Sequence, residues 1–356
     1  MGGTSHRARP DQLPTSDLPA RAPLSGFGGE KPRPGAQCDL TLRHVIQSAR
    51  LVPAPLWTIH LWESVGAKRY ASTMQLERGM PVTTNAIAAG ERFTLARPTI
   101  EVAAAEIRLT SGLADAEEDL ALSLREALRA TGLPFNVISP AARQEVSLSM
   151  SPTGGQAVQG TSIQGWTFND EAAQLQVTWL PDVLLVQSST YTHFSETLKP
   201  VLDAALQWLD ENGQVHLRTR AGLRYVNRLV DESATAPQAW HGRVEDWLLG
   251  QVITGPWANR VEQAHQQLHL RNEDSTNTAL RHGPFRDAAS RNNFSYLLDL
   301  DVFDASTESF RPSSTLELLT RLNYTAATVY RGTLTPEFLE QLGIAVESAA
   351  RGEEDR

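Results

Sequence analysis

Between His216 and Leu229 basic and apolar residues occupy alternate positions, and a period of two marks a strand with two unlike faces. One side carries Arg218, Arg220, Arg224 and Arg228, interrupted by Gly222 and Val226; the other carries Leu217, Ala221, Leu223, Tyr225 and Leu229. The apolar side has to be covered by other elements. The arginine side has to meet water or counter-charges, because guanidinium groups two positions apart lie about 7 Å from each other. Their repulsion is roughly 0.6 kcal/mol in water and several-fold larger once water is excluded. Counter-charges exist further along the chain, where Asp299 and Asp301 alternate with Leu298, Leu300 and Val302. Cross-strand pairs of that kind contribute a few tenths to about 1 kcal/mol each.

Two more stretches split in the same way. Gln174, Gln176 and Thr178 oppose Leu175, Val177 and Trp179, while His265, Gln267, His269 and Arg271 oppose Leu268 and Leu270. Strands are also predicted over 99–109, 145–150, 183–187, 278–282 and 294–303, with Pro181-Asp182 as a hairpin turn. Residues 151–164, rich in Gly, Ser and Gln, read as a loop. Helical spacing appears at Leu113, Leu120, Leu124 and Leu128, and again from Phe194 to Leu209. In the second of these Thr192 is the predicted N-cap and Pro200 should kink or reset the helix. A short helix falls over 244–249, a long one over 316–330, and Thr335 caps a last short one. Runs of strands broken by single long helices predict an α+β fold, an antiparallel sheet with long helices packed on one face.

Residues 1–56 hold eight of the twenty prolines, and residues 57–79 show no sustained apolar period. The segment 1–79 therefore reads as a disordered N-terminal arm or an extension from an early start, 80–345 as a single domain, and 346–356 as a charged tail. Charge divides along the same boundary, with a balance of +4 over 1–79 and −13 over the remainder. A body that acidic repels a phosphate backbone, which argues against nucleic acid as the partner. No apolar run is long enough to span a bilayer, and the lone Cys38 allows no disulfide framework, so the chain reads as a cytoplasmic protein.

Most familiar chemistries lack their residues here. There is no Gly-rich loop ending in Lys-Ser/Thr and no Gly-x-Ser-x-Gly elbow. His265 and His269 are four apart but belong to a strand pattern, and Asp304 falls on the opposite side of its strand from Asp299 and Asp301. No metal and no cofactor are expected. The candidate ligand-binding residues are Arg220, Arg224, Arg228, Asp299 and Asp301. They form either a solvated face braced by charge pairs or a polar groove in which Arg224 and Arg228 hold a carboxylate or phosphate. In the groove reading Gly222 admits a ligand or another backbone; otherwise it marks a bulge.

The stretches Pro98-Thr-Ile-Glu101-Val, Gly165-Trp-Thr-Phe-Asn-Asp170, Tyr191-Thr-His-Phe194, Gly222-Leu-Arg-Tyr-Val-Asn-Arg228, Leu297-Leu-Asp-Leu-Asp-Val-Phe-Asp304 and Thr333-Leu-Thr-Pro-Glu337 recur together here. In them the chain resembles a sporadically distributed prokaryotic family of uncharacterised proteins. That resemblance implies a compact cytoplasmic body lacking residues 1–79 and carries over no catalytic residue. Its sporadic distribution points to mobile or defence-associated systems. The expected function is a non-enzymatic binding or regulatory protein that engages a partner protein or a small anionic ligand. The alternative is an enzyme on a phosphorylated or carboxylated substrate, with Arg224 and Arg228 as anion clamps and Asp299 and Asp301 as metal ligands or general bases.

Overall fold

Alternation of the strand β8 (Leu217–Leu229) is realised at the centre of an antiparallel sheet. The computed structural model describes residues 39–44, 92–110, 117–151, 154–170, 174–213, 215–287 and 293–347. In chain order the strands are β1 (Asp39–His44), β2 (Arg92–Leu95), β3 (Ile100–Leu109), β4 (Val137–Ser151), β5 (Gly154–Asp170), β6 (Leu175–Leu180), β7 (Val183–Ser188) and β8. They continue with β9 (Gln266–Arg271), β10 (Asn277–Arg286), β11 (Phe294–Asp304), β12 (Glu308–Ser309) and β13 (Ile344–Glu347). The large sheet runs β1-β4-β5-β6-β7-β3-β8-β11-β10-β9, with β12 also on β8; β13 and β2 form a separate pair. Every pairing between these strands is antiparallel. The helices are α1 (Glu118–Arg129), α2 (Lys199–Asn212), α3 (Asp246–Leu249), α4 (Pro312–Arg331) and α5 (Pro336–Gln341).

Apolar residues gather in two clusters. The first joins Ala103, Ala105 and Ile107 of β3, Val177 and Trp179 of β6, and Ala221, Leu223 and Tyr225 of β8 to buried residues of α1, α2 and α4. The second joins Leu229 of β8, Leu280 of β10 and Leu298 and Leu300 of β11 to Trp240, Tyr330 and Phe338. Helix α4 belongs to both, through Leu318, Leu319 and Leu322 at one end and Tyr330 at the other. Each of its buried leucines contributes about 1.5–3 kcal/mol, so this helix fastens the two halves of the core together. Trp179 and Trp208 are core residues whose rings meet edge-on at 5.2 Å.

The structure refines the sequence reading at several places. Residues 154–164, read as loop, are the first part of β5 and pair with β4 from Ser151↔Gly154 onward. That stretch, rich in Gly, Ser and Gln, has no apolar alternation to read. Pro200 does reset its helix: a π-type turn over Phe194–Leu198 precedes α2, and Pro200 takes an N-terminal position where no amide donor is needed. The residue before that turn is His193, and Thr192 Oγ1 donates to Glu196 instead of capping. Of residues 1–79 the strand β1 is described, paired with β4; the rest of that arm, and 348–356 of the tail, lie outside the described residues. Thr335 caps α5 as expected, accepting from the Phe338 amide.

Candidate functional site

Strand register brings four of the five candidate residues together. Asp301 on β11 stands opposite Arg224 on β8, yet the ion pairs run diagonally. Arg224 sends Nε and Nη2 to the two oxygens of Asp299, both at 2.8 Å. Arg220 reaches past Gly222 to Asp301, at 3.1 and 3.3 Å, and its Nη1 donates to Glu106 of β3 at 3.2 Å. Arg281 of β10 approaches Asp299 at 3.4 Å, and Arg108 meets Glu106 at 2.6 Å. The Arg220 and Arg224 forks lean along their strand to diagonal neighbours, whereas Arg281 meets Asp299 directly across. The fifth candidate, Arg228, holds Glu101 at 2.8 Å and Asp287 at 2.5 Å. Glu101 reaches it because β3 carries one extra residue against β8 between Ile100 and Val102.

Arg218 leaves the arginine row. Between Arg108/Arg220 and Leu109/Arg218 the register of β8 slips by one residue, so Arg218 stands against Leu109, a core residue. There it pairs with Glu308 of β12 at 2.8 Å and lies 3.7 Å from Asp304. Strict alternation misassigned it because a bulge at Thr219 reverses the face.

Gly222 neither admits a ligand nor marks a bulge against β11, where the register passes through it unbroken. The space above it belongs to Arg220. A Cβ at position 222 would sit 2.7 Å from Arg220 Nη1. The guanidinium lies against the bare strand on one side and over the Phe303 ring on the other, 4.4 Å from its centroid.

Burial sorts the two signs of charge. Side chains of Asp299, Asp301, Glu106 and Asp287 are 5–8% exposed, whereas Arg108, Arg228 and Arg281 are 30–36% exposed. The acids form a floor, and Arg220 and Arg224, at 10 and 15%, lie at their level; Arg108, Arg228 and Arg281 form the partly wetted layer, with Glu101 as an exposed acid beside it. Burial pushes the Asp301 carboxyl up to about 6, a rise that Arg220 partly offsets and Glu106 reinforces. Burial likewise lowers Arg220 to about 10, still charged at neutral pH.

Beside the charge network runs a row of amides. Gln187 of β7 donates to Gln176 of β6 at 2.6 Å, and Gln176 donates to Asn169 of β5 at 2.8 Å. Sequence alternation exposed Gln176 but gave no sign that its neighbours across the sheet would continue the row. The apolar side of β8 has its own polar network, which sequence reasoning missed. Buried Asn227 accepts from Thr99 Oγ1 at 2.9 Å and donates to the Leu298 carbonyl at 3.1 Å. Thr99 lies 3.0 Å from the Tyr330 hydroxyl, and Tyr225 donates to Asn323 of α4 at 2.7 Å. His269 is exposed and shares a hydrogen bond with Gln267. Among the described residues no group of three or more His, Cys, Asp or Glu is placed to hold a metal ion, and no helix is long and apolar enough to cross a membrane.

Fold and site together define an antiparallel-sheet α+β protein with a charge-stratified strand face. Scanned against family models the chain matches none, and a search of the curated proteins finds no match.

Proposed function

We propose that this is a non-enzymatic binding or regulatory protein whose long helices cover one face of the sheet and whose charged face engages an anionic partner. One observation carries the reading: Arg108, Arg228 and Arg281 stand partly exposed on that face while Glu106, Asp287 and Asp299, the carboxylates they meet there, are buried. An approaching anion meets the donors first and the acids only through them. Pairing also fixes the donors in place, so little side-chain entropy is lost on binding. Arg224 does not act as a free clamp, because both arms of its fork are filled by Asp299. Its role in the proposal is to order the layer. Work in the cytoplasm rests on the lone cysteine, the lack of a long apolar run and the family resemblance, and a place beside a mobile or defence-associated system on the resemblance alone.

A capped octaglutamate peptide serves as the probe. Wild-type protein should bind it with an affinity that falls as salt rises. Arg281→Gln should weaken binding several-fold with a thermal midpoint within a few degrees of wild type, since Asp299 keeps the Arg224 fork. Equal binding by the variant, or none by the wild type, would sink the proposal.

The enzyme reading has one observation in its favour, a carboxyl at Asp301 that titrates near 6. Against it, that carboxyl is buried and already bonded to Arg220. Asp301→Asn separates the two. A folded protein that has lost a measurable turnover supports the enzyme; lost stability alone supports the binding protein.

A further inference from the structure

Read across the charged face, one row of the sheet passes through Asn169, Gln176, Gln187, Ala104, Arg224 and Asp301, each the register partner of the next. Five of the six carry long or hydrogen-bonding side chains. Ala104 ends at its Cβ, and it is partly exposed although Ala103 and Ala105 on the other side of the strand are fully buried. With strands about 4.8 Å apart, the Cα atoms of Gln187 and Arg224 stand roughly 10 Å from each other across it. The row therefore has a notch one side chain wide.

The notch has donors on both flanks. Arg224 uses Nε and Nη2 on Asp299, and among the described residues its Nη1 has no hydrogen-bond partner. Gln187 Nε2 spends one N–H on Gln176 and keeps the second. Glu106, two residues along β3 on the same side, is held by Arg108 and Arg220 and so is kept from filling the gap. Val102 and Val226, register partners in the adjoining row, are partly exposed beside it.

We infer that the notch over Ala104 is a binding site for the carboxylate of an Asp or Glu side chain presented by an acidic polypeptide. One carboxylate oxygen accepts from Arg224 Nη1 and the other from Gln187 Nε2, while the ligand's methylene groups lie along Val102 and Val226. Both donors are held before the ligand arrives, Arg224 by Asp299 and Gln187 by the amide row, which lowers the ordering cost. A charge-assisted bond from the guanidinium supplies the larger share of the attraction. The inference rests on the anionic-partner reading above and narrows it to one chemical group at one place.

The test uses the full chain with capped octaglutamate, capped octaglutamine and inorganic phosphate as probes, plus the variants Ala104→Leu, Ala104→Ser and Gln187→Ala. Octaglutamate should bind, and the other two probes at least tenfold more weakly. Ala104→Leu fills the notch and should weaken octaglutamate at least tenfold; Ala104→Ser leaves it open and should bind within twofold of wild type. Should Ala104→Leu lower the thermal midpoint by more than a few degrees, Gln187→Ala decides instead, with a several-fold loss expected and an unchanged affinity overturning the site. No binding by wild type removes the anionic-partner reading and the notch with it. Octaglutamate binding that ignores both Ala104→Leu and Gln187→Ala removes the notch alone. Equal binding of octaglutamine overturns the carboxylate, and equal binding of phosphate overturns the polypeptide.

Discussion

Gly222 shows how a single missing atom can organise a charge network. Arg220 has its two carboxylate partners on different strands, Glu106 on one side and Asp301 on the other. It reaches both by lying flat over the backbone of its own strand, and any Cβ at 222 stands 2.7 Å from its Nη1. The guanidinium is the far end of a flexible chain and could swing away, but Glu106, Asp301 and the Phe303 ring would lose it together. Removing one partner of a buried pair typically costs 3–5 kcal/mol, and a displaced group keeps part of its contacts. Gly222→Ala should therefore destabilise the protein by about 2–3 kcal/mol in urea unfolding. In an Arg220→Met background the same change should cost under about 1 kcal/mol, because nothing remains to be displaced. A full cost in both backgrounds would show that the strand itself rejects a side chain there.

At the scale of elements, β8 fastens β3, β11 and α4 through the polar residues on its apolar side. Asn227 is the junction: its amide donates to Leu298 on β11 and accepts from Thr99, which also meets Tyr330 of α4. Asn227→Leu keeps the volume but leaves Thr99 and the Leu298 carbonyl without these bonds, and should cost about 2–4 kcal/mol. Tyr330→Phe removes one neutral hydrogen bond and should cost about 1 kcal/mol. Hydrogen exchange at the amides of β3, β8 and β11 should speed up in Asn227→Leu, while that of β9, at the end of the sheet order, should change little. The same strand marks how far the sequence could be read. Its alternation, and that of β6 and β11, was legible because one face is apolar and the other polar. The counter-charging of Arg220 and Arg224 by Asp301 and Asp299 was legible from the same pattern. Arg218 was misplaced because a one-residue slip at Thr219 reverses its face, and a bulge leaves no mark in polarity. The first part of β5 was read as loop because its Gly-, Ser- and Gln-rich sequence offers no apolar alternation. The junction at Asn227 was invisible, since its partner Thr99 lies 128 residues before it and Tyr330, which meets Thr99, lies about a hundred after.

For the whole molecule, two buried groups pull its stability in opposite directions over the same span of pH. Asp301 faces Arg220 and Arg224 on β8, Glu106 on β3 and Arg281 on β10, and burial lifts its carboxyl from 3.8 to about 6. The folded state thus favours the proton. Stability from this group is fully present below pH 4 and is lost as pH rises through 6. His282 is fully buried against Tyr296, its Nδ1 2.8 Å from the hydroxyl and its Nε2 without a hydrogen-bond partner. Burial lowers it from 6.5 to about 4, so the folded state favours the neutral ring. Stability from that group is present above pH 6.5 and is lost as pH falls through 4. Between pH 4 and 6.5 the two contributions offset each other, and the wild-type profile should be flatter than either group alone would make it. Asp301→Asn removes one side of the balance. The difference in unfolding free energy between wild type and variant should shrink by on the order of 2–3 kcal/mol as pH rises from 4 to 7. His282→Phe should leave a protein that loses less stability than wild type over the same span as pH falls. Carboxylates elsewhere whose pKa values are lowered, such as Asp231 and Asp274, enter wild type and variant alike and cancel in the difference. A difference for Asp301→Asn that stays constant across the span would mean the carboxyl titrates as an ordinary one. The charge floor beneath the arginine layer would then be open to water, and the stratified face with it.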